Sequence, residues 1–143
     1  MATEYVTLMS TFSLAVELVV LGLLTGGFAL KRLKKFRQHA ITMLTAVVLH
    51  LITILTVVVW SFLSFFGAPG SIDFANTLVL VTLIHTALGI IAASLGVWLV
   101  ASWHLQTNIQ MCFARKKVML ATLTSWLTAI SLGIIMYVSI VFS

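Results

Sequence analysis

Acidic side chains are nearly missing from this sequence: Glu4, Glu17 and Asp73 are the only three in 143 residues. No two of them stand close enough in the chain to suggest the paired carboxylates of an acid–base hydrolase. Charged residues of either sign make up 8% of the chain, against about 25% in an ordinary soluble domain. No water-facing shell can therefore be built around the 62% that is hydrophobic. Cysteine occurs once, as Cys112 beside a basic cluster, which excludes an internal disulfide and any Cys-x-x-Cys centre and reads as a free structural thiol. Proline also occurs once, in the turn-forming run Gly67-Ala68-Pro69-Gly70-Ser71. There is no Ser-His-Asp set, glycine-rich phosphate loop or HExxH motif. With little chain outside its apolar stretches, the protein is not expected to be an enzyme.

What the sequence has instead is four long apolar runs, at residues 6–30, 41–66, 74–103 and 118–142. Each exceeds the roughly 20 helical residues that cross a hydrocarbon layer about 30 Å thick. Barrel strands would alternate over about ten residues, and these runs are apolar on all sides. The expected fold is all-α: one domain over residues 1–143, an integral membrane four-helix bundle running up-down-up-down. The opening Met-Ala-Thr-Glu lacks the basic segment of a cleavable signal, so the first run is read as a retained span.

The net charge of +5 would suggest nucleic acid if the basic residues were spread over a surface. They are concentrated in two loops: Lys31, Arg32, Lys34, Lys35 and Arg37 in one, Arg115, Lys116 and Lys117 in the other. The positive-inside rule puts both loops in the cytoplasm and both termini outside, in a multi-pass protein of the cell (cytoplasmic) membrane. Such clusters are topology signals with some affinity for anionic lipid, and no nucleic-acid partner is expected. Gly22 and Gly26 in the first span, and Gly89, Ala92, Ala93 and Gly96 in the third, form small-residue faces suited to close helix approach. Tyr5, Trp60 and Tyr137 near one boundary, with Trp98 and Trp103 near the other, fit aromatic belts.

Ionisable groups in hydrocarbon cost at least about 2.5 kcal/mol for an acid at the bilayer centre, so Glu17, His50 and His85 each require a reason. At 1.5 Å per residue, Glu17 lies about 21 Å from Lys31, His50 about 20 Å from Arg37, and His85 about 18 Å from Asp73 on the opposite side. All three fall in one middle layer. On the second span His39, Thr42, Ala46, His50 and Thr53 step by three and four into one polar stripe. On the third, Thr82, His85, Gly89, Ala92 and Gly96 do the same. The outer loop makes these spans neighbours, so His50 and His85 are expected to face each other.

Two such histidines can serve as axial ligands to haem b or bind copper or another metal, with Glu17 as a further metal ligand. They can equally hydrogen-bond a threonine or a carbonyl, or carry a proton. Glu17 can pair with either imidazole, or sit neutral because desolvation favours the uncharged acid. His39 and His104 mark a second candidate site at the cytoplasmic edge. Its spacing does not match a two-haem design, since His85 and His104 are about 28 Å apart along the axis and His39 and His50 about 16 Å.

Taken in order, several landmarks carry a resemblance. They are the first helix ending in Leu30-Lys31-Arg32, then Gln38-His39-Ala40-Ile41-Thr42-Met43, then Thr82-Leu83-Ile84-His85, then Ala114-Arg115-Lys116, and finally Trp126, Gly133 and Tyr137. Over residues 20–140 the chain resembles the small four-span family that contains the oxidase maturation factor CtaM, domain of unknown function 420. The resemblance implies an accessory or maturation role for a haem-copper respiratory oxidase, exercised through contact with haem, copper or oxidase subunits. His39 and His85 are the positions that carry over. Near the start of the fourth helix, where the family pattern has a histidine, this sequence has Arg115, Lys116 and Lys117. Two other readings stand beside that one: a b-type haem electron carrier ligated by His50 and His85, and a structural small subunit of a larger membrane complex.

Overall fold

The computed structural model describes residues 2–60, 63, 67, 76–103 and 114–142. Four helices carry the chain: α1 (Ala2–Arg32), α2 (Phe36–Thr53, continued by a π-helical turn at Ile54–Val58), α3 (Thr77–Trp103) and α4 (Lys116–Phe142). No strand occurs among the described residues. Each helix is long and apolar enough to cross a membrane, with mean hydropathies between 1.9 and 2.4. The all-α bundle is thus the fold, and the chain reads as a multi-pass membrane protein. Pro69, Asp73, His104 and Cys112 lie outside the described residues, as do the side chains of Tyr5 and Trp103.

The turn between α1 and α2 is only three residues long, and its hydrogen bonds explain how α1 stops. The Lys35 amide reaches back to the Leu30 carbonyl (3.0 Å) and the Lys34 amide to the Lys31 carbonyl (3.1 Å). This is the paired closure of a Schellman motif, which needs a left-handed residue at its centre. Lys34 fills that position at φ 58°, where glycine is the usual occupant. Lys34→Gly is therefore expected to stabilise the hairpin by about 1 kcal/mol, the order of the left-handed penalty for a side chain. Equilibrium unfolding in mixed micelles measures it, and an unchanged or lower stability would contradict the assignment.

This tight turn makes α1 and α2 close antiparallel partners. It also starts α2 at Phe36, five residues earlier than the apolar run at 41–66 suggests. Arg37 and Gln38 in that first turn are exposed, while His39 and Ala40 are buried. Near the middle of the chain, α3 starts after Asn76, whose side-chain Oδ1 accepts from the Leu78 amide at 2.9 Å and caps the helix.

α1 packs chiefly on α2 and α3 on α4, and the two hairpins meet along α1–α4 and α2–α3. The core where they meet holds Val20 and Leu24 of α1, Ala46 and Val47 of α2, Ala92 of α3, and Trp126 and Ile130 of α4. Small residues line the closest approaches: a Cβ on Gly96 would stand 3.1 Å from Val47, and one on Gly27 would overlap the Met43 side chain. Gly22, Gly26 and Gly89, expected at close contacts, have open space beside them instead. Gly27 is one position round from the Gly22–Gly26 face and is the glycine that turns to α2.

Large apolar side chains such as Leu8, Phe12, Ile52, Leu55, Ile90 and Leu120 point outward. An apolar exterior of that extent fits lipid as the surrounding medium. Threonine hydroxyls on these helices bond the carbonyl four residues back, as at Thr42, Thr45, Thr56, Thr82 and Thr128, so they present no unmet polarity to hydrocarbon.

Candidate functional site: buried histidines and an intramembrane acid

On α1 the residues Glu17, Val20, Leu24 and Gly27 recur at helical spacing and form its inward face. On α2 the inward face is His39, Ala46, His50, Thr53 and Val57. Glu17 therefore enters the bundle, and its Oε1 lies 2.6 Å from His50 Nδ1. A bond that short joins an acid and a base with one proton between them, and it holds α1 to α2 in mid-membrane. The His50 ring also meets Trp126 of α4, with centroids 4.6 Å apart and planes tilted by 49°. Trp126 is 2% exposed and is among the largest fully buried side chains. Three buried atoms of this group lack a hydrogen-bond partner: Glu17 Oε2, His50 Nε2 and Trp126 Nε1. Each such orphan costs about 1–3 kcal/mol.

His85 belongs to a different arrangement. Its Nδ1 lies 2.8 Å from the Ala129 carbonyl of α4. A carbonyl only accepts, so Nδ1 carries the hydrogen and the neutral ring keeps its lone pair on Nε2. The ring rests on Gly133, where a Cβ would come within 3.1 Å of His85 Cε1. Gly133→Ala is accordingly expected to push the ring and weaken its bond to Ala129. Ring-nitrogen resonances of labelled protein check this, with His85 shifting and His50 unchanged.

His39, at the first turn of α2, is 1% exposed and donates from Nδ1 to the Gly27 carbonyl at 2.7 Å. All three described histidines thus have Nδ1 held by an oxygen of another helix. Metal-ligating histidines are oriented in the same way, through the nitrogen that does not bind the metal.

The facing His50–His85 pair expected from the sequence is not what forms. His50 takes Glu17 through Nδ1 and has no partner on Nε2, and His85 takes Ala129. The equal depth of the two rings gives way as well, since His50 lies level with Trp126 and His85 three to seven residues further along α4, about 5–10 Å. Trp126 packs on the His50 ring, and the His85 ring lies beyond it along α4. A His50–His85 axial pair therefore does not fit this packing. Among the described residues no three histidine, cysteine or acidic side chains are grouped to hold a metal ion, so Glu17, His50 and His85 are not one ligand set. Trp126, which sequence reasoning placed on α4 without a partner, is the residue that completes the Glu17–His50 group.

Comparison with protein-family models, curated proteins and solved structures finds no match to this chain.

Proposed function

We propose that this chain is a non-enzymatic membrane accessory protein, serving the maturation of a haem-copper respiratory oxidase in the cytoplasmic membrane. In this reading it offers histidines singly, with His85 the principal nitrogen ligand for haem or copper and His39 a second one. The observation that carries the proposal is the Nδ1–H bond of His85 to the Ala129 carbonyl over the bare surface of Gly133. It fixes the tautomer and leaves the lone pair on Nε2, which is what a ligand needs before the metal arrives. The family resemblance at Thr82-Leu83-Ile84-His85 and Gln38-His39 supplies the oxidase. Haem or copper held there would provide one-electron redox chemistry, or would itself be the cargo passed on. The chain's own part is to hold the ring still and keep water away from it.

The basic clusters orient the protein with both loops inside and both termini outside. Reporter fusions at residue 143 are expected to be active only on the outer side, and activity only on the cytoplasmic side would overturn this topology. For the site, the purified full chain is titrated separately with haem b and with cuprous ion. One of them is expected to bind with about one equivalent per chain, and His85→Ala is expected to abolish that binding while the Glu17–His50 bond persists. If neither binds, the histidines serve packing alone and a structural subunit of a larger membrane assembly becomes the better reading.

A further inference from the structure

Three buried polar atoms without partners come from three different helices: Glu17 Oε2 on α1, His50 Nε2 on α2 and Trp126 Nε1 on α4. They belong to side chains in mutual contact, since Glu17 bonds His50 on one edge and Trp126 lies against the same imidazole. Lipid cannot satisfy them and no protein group among the described residues does. Unmet hydrogen bonding around one imidazole calls for small guests that both donate and accept, and water is such a guest.

We propose that Glu17, His50 and Trp126 form an intramembrane proton-binding site. Internal waters satisfy the orphan atoms, and the Glu17–His50 pair takes up and gives back one proton. The donor inventory fits in both states. With the proton bound, one hydrogen lies between Glu17 Oε1 and His50 Nδ1 and another sits on His50 Nε2, and the pair is neutral as a whole. One water then accepts from His50 Nε2–H and another donates to Glu17 Oε2, while Trp126 Nε1–H donates to water. On release, the Nε2–H bond breaks, its electron pair stays on the nitrogen, and the proton leaves through the water to bulk solvent as hydronium. The pair is then singly negative, and the water at Nε2 turns to donate to it. Uptake is the reverse. No other reactant is required.

The surroundings suit such a site. Trp126 faces the pair from α4. From α3 the only titratable side chain described is His85, which is bonded to Ala129 instead. The described lysines and arginines fall within residues 31–37 and 115–117, at the helix ends, and Glu4 stands near the start of α1. No fixed charge among the described residues therefore holds the pair in one state. A second observation lies on α2 itself, where the π-helical turn Ile54–Val58 begins four residues beyond His50 and the Ile54 amide is shared between the His50 and Leu51 carbonyls. π-Helical turns loosen a helix locally and recur at functional positions. The site uses neither His85 nor His39, so it stands or falls apart from the ligand role proposed above.

The test uses the full chain in lipid bilayers with histidine ring nitrogens labelled, followed by nuclear magnetic resonance and difference infrared spectroscopy across pH. The His50 ring signal and the Glu17 carboxyl band are expected to change together at one midpoint, with a water signal at the site that exchanges with deuterium. Trp126→Phe keeps an aromatic ring there but removes the N–H. It is expected to move that midpoint by roughly tenfold or more in proton affinity, the effect of one hydrogen bond in a charged network. The signals of His39 and His85 report whether the variant is folded. The proposal is overturned if Glu17 and His50 hold one protonation state throughout the pH range in which those signals are native. It is equally overturned if the folded Trp126→Phe chain titrates like the parent.

Discussion

Leucine in place of His50 is expected to lower the stability of the bundle by about 3–5 kcal/mol, the loss that follows when one member of a buried pair is removed. The reason lies in what remains. Glu17 is part-buried on the inward face of α1, and His50 Nδ1 is its one hydrogen-bond partner among the described residues. Without it the carboxyl group stays in mid-membrane with nothing to offset its desolvation. Glu17→Leu removes the other member and leaves the imidazole unsatisfied at both nitrogens, so it is expected to be destabilising too. The double leucine variant removes both polar demands and is expected to recover most of the loss, as replacement of buried ion pairs by apolar residues often does. Equilibrium unfolding of the four proteins in mixed micelles forms a double-mutant cycle. Simple addition of the two single losses in the double variant would contradict a direct Glu17–His50 interaction.

Trp126→Ala is expected to cost about 3–5 kcal/mol, the range for deleting a large buried ring. Trp126 sits in the one core cluster that draws side chains from all four helices, together with Val20, Val47, Ala92 and Ile130. A Cβ on Gly96 would lie 3.7 Å from its ring, so α3 also closes on it. In a membrane, helices associate through packing more than through exclusion of water, and a void at this junction weakens contacts of both hairpins at once. Trp126→Phe is expected to lose much less. The same unfolding measurement applies, and equal stability of the alanine variant would show that the junction does not depend on this ring.

The four helices were legible because an apolar run longer than about 20 residues has few other uses. The inward face of α2 was legible too, since His39, Ala46, His50 and Thr53 return to one side of the helix. The partner of His50 was not. Depth counting placed Glu17 and His50 within a residue of each other, yet the outer loop drew attention to His85. The decisive feature is the three-residue turn before Phe36, which makes α1 the close neighbour of α2. It was hidden because Arg37, Gln38 and His39 are an unusually polar opening for a membrane helix. Helix α2 tolerates them by turning Arg37 and Gln38 outward and giving His39 the Gly27 carbonyl. The place of Trp126 could not be read either, since the helical period alone does not say which face of α4 turns inward. The π-helical turn at Ile54–Val58 leaves no trace in a segment that is apolar on every side.

The most direct measurement of the Glu17–His50 bond across α1 and α2 is a through-space correlation experiment on the full chain in bilayers, with histidine rings and glutamate carboxyl carbons labelled. The expected result is a strong contact between His50 Nδ1 and the Glu17 carboxyl carbon, with the His85 ring correlating instead to the Ala129 carbonyl. A His50 ring that correlates with His85 and not with Glu17 would contradict the arrangement and restore the shared histidine pair.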